Sequence, residues 1–328
     1  MSPHIKVEKP PSKEPVQELI AKLNPDLRAA VESLKTTLEK TGFRQEVDEL
    51  KAKILKKPVR QEQQFFSFLP HQLAKTSIFF PMSDRELKEE NRHITKIEHD
   101  TNWGKVVIQG VKLAIFEEDI LLVLLALLEK NLSKLTHGIG LAIHINEIIS
   151  ILYGREGYSK TNEDVILRAL KHFELVSFDL ILGDWKKHGK ERLKVERIRS
   201  VGNIISGYDY DTATKELKIY FNPPFLAYFG ESMLTNINLT QRRMLKKDGS
   251  KALLRFLSAH TNPSRMHILT VLNAINFNTD QPLYRLRSRL KSFITELKKN
   301  GVLGNKTKIF QDDTVYFEVL PHKKLLPV

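Results

Sequence analysis

The stretch "LYRLRSRLKSFITELKK" at residues 283–299 separates apolar and basic side chains at helical spacing. At about 100° per residue, one face of this helix is wholly apolar. Its members are Leu286, Leu290, Phe293, Ile294 and Leu297. The opposite face carries Tyr284, Ser288, Lys291, Ser292 and Lys299, with Arg285 projecting to one side. The pattern predicts an amphipathic helix that packs on a core, presents a basic outer face and ends before Gly301.

The elements around this helix have the order of a winged helix. Two helices are predicted before it, at 240–260 and 266–277, and a hairpin after it that turns at 311–313. Three helices followed by a two-stranded hairpin are typical of winged-helix domains. A similar order occurs earlier, with helices at about 117–131, 147–153 and 163–173, followed by strands. Sequence identity between the two halves is low, so the repeat is inferred from element order alone.

The predicted fold class is therefore α+β, with two tandem winged-helix domains and an N-terminal helical arm. The first domain is placed at 65–228 and the second at 229–328. Residues 16–60 form the predicted arm, because leucines recur at helical spacing between charged residues. Residues 1–15 are rich in proline and charge, which predicts a disordered tail.

Composition narrows the class of partner. The formal net charge is +13, which favours an anionic partner such as nucleic acid. The chain contains no cysteine, which excludes disulfides and thiol chemistry and suits a reducing compartment. The longest apolar run, Ile120 to Leu128, has nine residues, whereas a membrane-spanning helix needs about 20. With no signal peptide apparent, we expect a cytoplasmic protein without a membrane partner.

The outer face of 283–299 is a candidate DNA-reading surface. Arginine pairs with guanine through two hydrogen bonds, lysine holds phosphates, and serine takes either role. A solvated basic face is the alternative, but such faces usually mix charge signs, and Glu296 is the single acidic residue between 283 and 310. The candidate DNA-binding residues are Arg285, Arg287, Ser288, Arg289, Lys291 and Ser292, with Lys306 and Lys308 of the hairpin.

The first domain has a weaker counterpart. In the helix at 163–173, Arg168 and Lys171 project outward together, and Lys160 and Thr161 stand at its N-terminal end. The hairpin at 184–200 is predicted to be its wing, with Lys190, Arg192 and Lys194 gripping DNA. A solvated edge hairpin that uses lysine to prevent strand pairing is the alternative and stays open.

A third basic cluster lies at the start of the second domain. Arg242, Arg243, Lys246 and Lys247 fall in its predicted first helix, which suits contacts to phosphates. Binding through this many cations should weaken steeply with salt.

Enzyme signatures are not found in the sequence. The phosphate-binding motif GxxxxGK[ST] is missing, and so is the HxH pair with which rolling-circle initiators and relaxases hold a metal. We therefore predict no catalytic residues, no metal site and no cofactor. Two other classes stay open: a winged-helix transcriptional regulator, and a nuclease or relaxase whose distant carboxylates converge in the fold.

Two segments resemble the plasmid replication initiators of the TrfA and RepA type. In "NWGKVVIQGVKLAIFEEDILLVLLALLEKN" at 102–131, the similarity lies in the strand pair, the glycine turn, the acidic pair Glu118 and Asp119, and the long apolar helix. "GSKALLRFLSAH" at 249–260, followed by 283–303, is similar to the second winged helix of that family. The resemblance covers roughly 65–320, and the arm is not part of it.

The resemblance implies a function that the residues alone do not supply. It implies binding to double-stranded direct repeats (iterons) at a plasmid origin, melting of the adjacent AT-rich DNA, and recruitment of the host initiator DnaA and the helicase DnaB. It also implies homodimers that repress their own promoter and monomers that fire the origin. By the same resemblance, Arg285, Arg287, Ser288 and Lys291 would read bases in the second domain, and Arg168 and Lys171 in the first.

Overall fold

The chain divides into two compact units, 1–60 and 61–328. The computed structural model describes residues 66–83, 85–101, 104–130, 140–153, 159–184, 194–230, 232–260 and 265–320, all in the second unit. The predicted tail and arm lie outside the described residues, as does the tip of the hairpin predicted at 184–200. The domain boundaries therefore stay a prediction.

Nine α-helices are found within these described ranges. They are α1 (His71–Lys75), α2 (Ile115–Lys130), α3 (Ile145–Tyr153), α4 (Lys160–Leu175), α5 (Pro223–Gly230), α6 (Leu239–Met244), α7 (Asp248–Ser258), α8 (Ile268–Ala274) and α9 (Leu283–Lys299). None of the helices in this part of the chain is long and apolar enough to cross a membrane.

The strands are mostly short and antiparallel. They are β1 (Phe66–Pro70), β2 (Phe79–Phe80), β3 (His93–Thr101), β4 (Gly104–Val111), β5 (Leu113–Ala114), β6 (Gly140–His144), β7 (Ser177–Asp184), β8 (Lys194–Asn203), β9 (Ile205–Tyr210), β10 (Glu216–Phe221), β11 (Leu234–Asn238), β12 (Met266–His267), β13 (Lys308–Ile309) and β14 (Thr314–Tyr316). The main sheet has the order β3-β4-β7-β8, and two three-stranded sheets have the orders β6-β10-β9 and β12-β14-β13. Strand β1 pairs with β11, so the first described residues contact the segment that begins the second half of the chain.

Helix α2 is the central core helix. It is apolar on nearly all sides and buries eleven of its sixteen residues, so it must be surrounded by other elements. Side chains from both halves of the chain join one continuous hydrophobic core. The two halves therefore pack as parts of one compact body.

The two halves repeat one arrangement, which confirms the predicted tandem winged helices. In each, a short strand leads into the second helix and pairs with the last strand of the following hairpin: β6 with β10, and β12 with β14. The backbone N–H of Ile145 donates to the carbonyl of Lys215 at 3.1 Å, and that of Ile268 donates to the carbonyl of Asp313 at 2.9 Å. These two hydrogen bonds occupy equivalent places in the repeats.

The second helix of each repeat also begins in the same way. The ring Nδ1 of His144 accepts from the backbone N–H of Asn146, and Nδ1 of His267 accepts from Leu269, both at 3.2 Å. Each histidine therefore satisfies one of the free N–H groups that every helix start exposes.

The structure corrects the predicted wing of the first domain. Strands β7 and β8 belong to the four-stranded sheet with β3 and β4, whereas the hairpin next to β6 is β9–β10, which turns at residues 211–215. The sequence predicts the hairpin at 184–200 as the wing because this hairpin directly follows the third helix along the chain. It is instead an insertion, and the wing of the first repeat comes after it.

The helix predicted at 240–260 is also corrected. It is two helices, α6 and α7, separated at Leu245–Lys247. The carboxylate of Glu296 accepts hydrogen bonds from the backbone N–H groups of Lys246 at 2.7 Å and Lys247 at 3.3 Å. The break therefore allows α9 to satisfy backbone donors where α7 begins.

Candidate nucleic-acid interface

Helix α9 has the two faces that the sequence predicts. Leu286, Leu290, Phe293, Ile294 and Leu297 are buried and hold the helix on the core. The outer face presents a row of exposed side chains: Tyr284, Arg285, Ser288, Arg289, Lys291 and Lys299. Ser292 is half-buried beside them. The helix ends at Lys299 with Asn300 as its C-cap, and Gly301 follows at φ 69°, a left-handed conformation that glycine adopts without strain.

The outer face of α9 carries no free opposing charge. Glu296 is its acidic residue, and that carboxylate is held by the backbone of Lys246 and Lys247. The guanidinium of Arg285 lies 5.8 Å from the ring of Tyr284, so arginine and tyrosine form one exposed unit in the first turn. The surface can thus offer planar donors, a hydroxyl and an ammonium group side by side.

The hairpin β13–β14 forms the wing beside this helix. Lys306 and Lys308 are exposed, and the ammonium of Lys308 lies 4.6 Å from the ring centre of Phe310. The guanidinium of Arg265 stacks on the same ring at 3.8 Å. Cations that stack on an aromatic ring keep a defined position while remaining accessible to an anion.

Two carboxylates at the tip of the wing are each bound by an arginine. Asp312 pairs with Arg265 at 2.8 Å, and Asp313 pairs with Arg287 at 2.6 Å. A hydrogen bond from the hydroxyl of Thr314 lowers the pKa of Asp312, and Arg265 lowers it further. The charge of Asp312 is thus balanced by Arg265 and that of Asp313 by Arg287, which reduces the repulsion between the wing tip and phosphates.

The cluster predicted at the start of the second domain divides into two groups. Arg243, Lys246 and Lys247 are exposed, and the ammonium of Lys247 donates to the hydroxyl of Ser292 on α9. Lys246 and Lys247 lie beside α9, where they contact Glu296 and Ser292, whereas the guanidinium of Arg243 donates to the carbonyl of Ile151 on α3 at 3.5 Å. All three cations stay candidates for phosphate contacts.

Arg242 is different, and its predicted contact with DNA is wrong for this structure. Its side chain is 2% exposed, with Nε donating to Asp119 at 2.5 Å and Nη2 lying 3.2 Å from Glu118. Its guanidinium is enclosed between α2 and α7, where DNA cannot reach it.

The same site contains further buried charge. Glu118 and Arg255 are both fully buried and joined at 2.6 Å, and Lys251 reaches Asp119 at 2.5 Å. A buried ion must be paired, because removing it from water is very costly. The acidic residues of α2 therefore attach the second repeat to the core of the first. The sequence signal for this pairing is the run Glu117–Asp119 inside an otherwise apolar helix.

Glu117 has partners within the first half. It is fully buried and accepts from Arg92 at 2.5 Å and from the ring of His172 on α4. This contact anchors α4, the third helix of the first repeat, to the central helix α2.

The outer face of α4 is less basic than that of α9. Lys160, Thr161, Arg168 and Lys171 are exposed, as predicted. Asp164 is exposed among them, and Lys171 pairs with Glu174 at 2.9 Å. The hydrogen bond that the ammonium of Lys171 donates to that carboxylate raises the pKa of Lys171. The first repeat therefore offers fewer unpaired cations from its third helix than the second repeat does.

The predicted basic residues of the 184–200 hairpin are only partly described. Lys190 and Arg192 lie outside the described residues, and Lys194 sits on β8 opposite Asp184. Their contact with DNA stays a prediction. In the described parts of the chain, no group of three or more His, Asp or Glu residues could hold a metal ion.

Comparison with known proteins gives no match to any family model and no match among curated proteins. Among solved structures, domains 2 and 3 of RctB are similar at 11% identity and a TM-score of 0.50, covering 77% of this chain and 98% of that one. The Pi initiator protein in complex with iteron DNA matches at 14% identity and a TM-score of 0.46, covering 80% of this chain and all of that one. At such identities, the similarity to RctB concerns the fold.

Proposed function

We propose that this chain is a sequence-specific, double-stranded DNA-binding protein that initiates replication at a plasmid origin. In this proposal it binds direct repeats, promotes melting of the adjacent AT-rich DNA and recruits host replication proteins, DnaA and DnaB among them. It acts in the cytoplasm, as monomer and dimer, and makes or breaks no covalent bond. The observation that carries the DNA-binding part is the unopposed basic face of α9 beside a basic wing.

Helix α9 has the shape and chemistry to enter the major groove. Its apolar face is fully occupied by the core, so the opposite face is free to approach DNA. Arg285 and Arg289 would offer paired donors to guanine, and Ser288 would reach a base or a phosphate. Lys291, near the middle of the helix, would hold a phosphate at the groove edge.

The wing and the start of α7 would hold the DNA backbone. Lys306 and Lys308 extend from the hairpin, and Lys246 and Lys247 precede α7. Their ammonium groups would contact phosphates on either side of the groove that α9 occupies, without reading sequence. Affinity for all DNA should then fall steeply with salt.

The first repeat would bind the same duplex with a smaller share of base contacts. Lys160 and Thr161 begin α4, the end that recognition helices usually direct into the groove. Because both repeats share one core, they would reach DNA from one body. We therefore expect one asymmetric site of about two helical turns, contacted on one face.

Selection of bound fragments from a random duplex library tests the DNA-binding part, with affinity measured against salt. One asymmetric enriched site supports the proposal. A palindrome would indicate a dimeric regulator, and no enriched sequence at any salt concentration would contradict specific recognition. The matched variants are Arg285→Ala and Lys88→Ala, which remove one exposed cation each. Lys88 lies outside the three helices and the wing of either repeat.

Permanganate reactivity of thymines tests the melting part on a supercoiled origin plasmid. New reactivity in AT-rich DNA beside the bound site would support an initiator. Tight specific binding without new reactivity would indicate a transcriptional regulator. Cleavage of that plasmid with a divalent metal present would instead indicate an enzyme.

A further inference from the structure

The ion pair between Arg287 and Asp313 joins the recognition helix to its wing. Nη1 of Arg287 donates to Oδ1 of Asp313 at 2.6 Å, and both side chains are partly exposed. Arg287 lies in the second turn of α9, close to the exposed reading face, and Asp313 lies at the tip of the hairpin. The pair is therefore at the edge where DNA would meet both elements.

The carboxylate leaves one edge of the guanidinium available. Within the described part of the chain, Nε and Nη2 of Arg287 have no hydrogen-bond partner. These two donors form a planar fork, which matches the O6 and N7 acceptors of guanine in the major groove. Because Asp313 already holds Nη1 of Arg287, the side chain loses less conformational entropy when its other two donors bind guanine. More of the binding free energy of this contact is therefore available to distinguish guanine from the other bases.

The first repeat shows that the wing can be tied to its helix in another way. There Glu163, on α4, pairs with Lys215 at the wing turn at 3.2 Å. Both ion pairs join the third helix to the turn of the wing, but in the first repeat the anion is on the helix and the cation is on the wing. An ion pair between helix and wing therefore does not require an arginine on the helix. The presence of Arg287 in the second repeat needs a further explanation.

We propose that Asp313 is a positioning residue for base recognition: it orients Arg287 so that the free Nε–Nη2 edge reads one guanine of the bound site. This inference rests on the proposed function, because it needs α9 in the major groove. It extends that function by assigning a base preference to a residue of the wing that would not itself touch DNA.

The test compares enriched sites for the full-length protein and three variants. Asp313→Asn removes the charge and keeps the left-handed backbone, which asparagine tolerates well. Arg287→Lys keeps the charge and removes the fork. Asp312→Asn is the matched control, because it breaks the other carboxylate–arginine pair of the same turn, which does not involve α9.

We expect the wild-type protein to require guanine at one position and to lose about tenfold or more in affinity when that base is replaced. Asp313→Asn and Arg287→Lys should reduce that preference while keeping most of the affinity for random DNA. Asp312→Asn should leave the preference unchanged.

Two results would overturn the inference and are distinguishable. If the wild type enriches a site and Asp313→Asn leaves its base preferences intact, or weakens binding to all sequences equally, the pair only supports the wing. If the wild type enriches no sequence, specific binding itself fails and the inference fails with it.

A fourth variant guards against a folding defect. Arg287→Glu combined with Asp313→Lys reproduces the polarity of the first repeat. It should retain the wild-type melting temperature and lose the guanine preference. A swapped pair that keeps the preference would contradict the role assigned to Arg287.

Discussion

Lys215 and Asp313 occupy the same place in the two repeats but carry opposite charges. Both have a left-handed backbone, with φ of 60° and 54°, and each precedes the last strand of its wing. The carbonyl of each accepts the first N–H of the second helix in its repeat. The turn geometry is thus common to both repeats. The side chain at this position differs, and it places a positive charge next to α4 and a negative charge next to α9.

The shared backbone conformation predicts how Lys215 tolerates substitution. Lys215→Asn removes the ion pair to Glu163 but suits a positive φ, whereas Lys215→Val also forces a β-branched side chain into that conformation. Thermal unfolding should therefore show a lower melting temperature for the valine variant than for the asparagine variant. Equal melting temperatures would show that the turn relaxes without strain.

Arg285→Ala and Lys247→Ala should differ in the kind of binding that they impair. Losing a base contact costs about 1–3 kcal/mol on the specific site, whereas losing a phosphate contact weakens binding to all sequences. Competition assays with specific and random duplexes would measure both. If Arg285→Ala lost the same binding free energy on the specific and the random duplex, the assignment of Arg285 as a base-reading residue would be wrong.

Glu118→Ala should strongly destabilise the fold. Removing this carboxylate leaves Arg255 and Arg242 buried without their shared partner, and breaking a buried pair in this way costs about 3–5 kcal/mol. Urea unfolding would measure the change. Glu98→Ala is the control, since the pair of Glu98 with Lys105 is on the surface and should contribute little. Equal effects of both variants would contradict the role of the buried pair.

Gly249→Ala should disturb the contact between α7 and α9. A Cβ atom at this position would overlap the ring of Phe293, which packs against the bare backbone of the helix. Overpacking of this kind costs about 1–3 kcal/mol. Gly207→Ala is the control, because a Cβ there would meet only the Glu174 side chain at 3.9 Å. Unfolding free energies that fall by similar amounts in both variants would refute the overlap.

His99 should make the fold sensitive to mild acid. Burial lowers the pKa of His99 from its ordinary value of 6.5, and its buried Nε2 has no hydrogen-bond partner among the residues that the structure describes. Above pH 6.5 both folded and unfolded states hold a neutral ring, so His99 has no effect. Below that pH the unfolded state binds the proton first, and stability decreases.

His99→Phe should therefore reduce the loss of stability between pH 7 and about pH 5.5. Phenylalanine keeps a ring next to Phe80, which lies 5.7 Å from His99 between ring centres. His93→Gln, an exposed position on the same strand, serves as the control. Urea unfolding at both pH values gives the comparison, and an unchanged pH dependence in His99→Phe would rule out this residue as the source.

The features predicted correctly from sequence are those that depend on local pattern. The faces of α9 follow from the spacing of Leu286, Leu290 and Leu297, because a helix repeats every 3.6 residues. The three helices of each half likewise follow from the sequence, although the helix predicted at 240–260 is divided into α6 and α7. A His-Ile pair occurs at 144–145 and again at 267–268, in each case at the start of the second helix of a repeat. This pair is a sequence signal of the repeat in addition to the order of the elements.

The features predicted wrongly depend on contacts between distant residues. Arg242 looks like Arg243 in the sequence, yet one is buried because Glu118 and Asp119 meet it from 123 residues away or more. The prediction for the wing of the first repeat is wrong for a related reason. The hairpin at 184–200 is next to the third helix in sequence, whereas the strand that pairs with β6 is β10, which follows later in the chain.

The ion pairs of Glu118 and Asp119 with the second repeat bear on how binding preference could evolve. A change of preferred base would need only one substitution on the exposed face of α9, such as Ser288 or Arg289, with no effect on the core. A change in the spacing between the DNA segments that the two repeats would contact would require Glu118, Arg255 and their packed neighbours to change together. Under the proposed function, the base sequences of related binding sites should therefore change sooner than the spacing between the segments that the two repeats read.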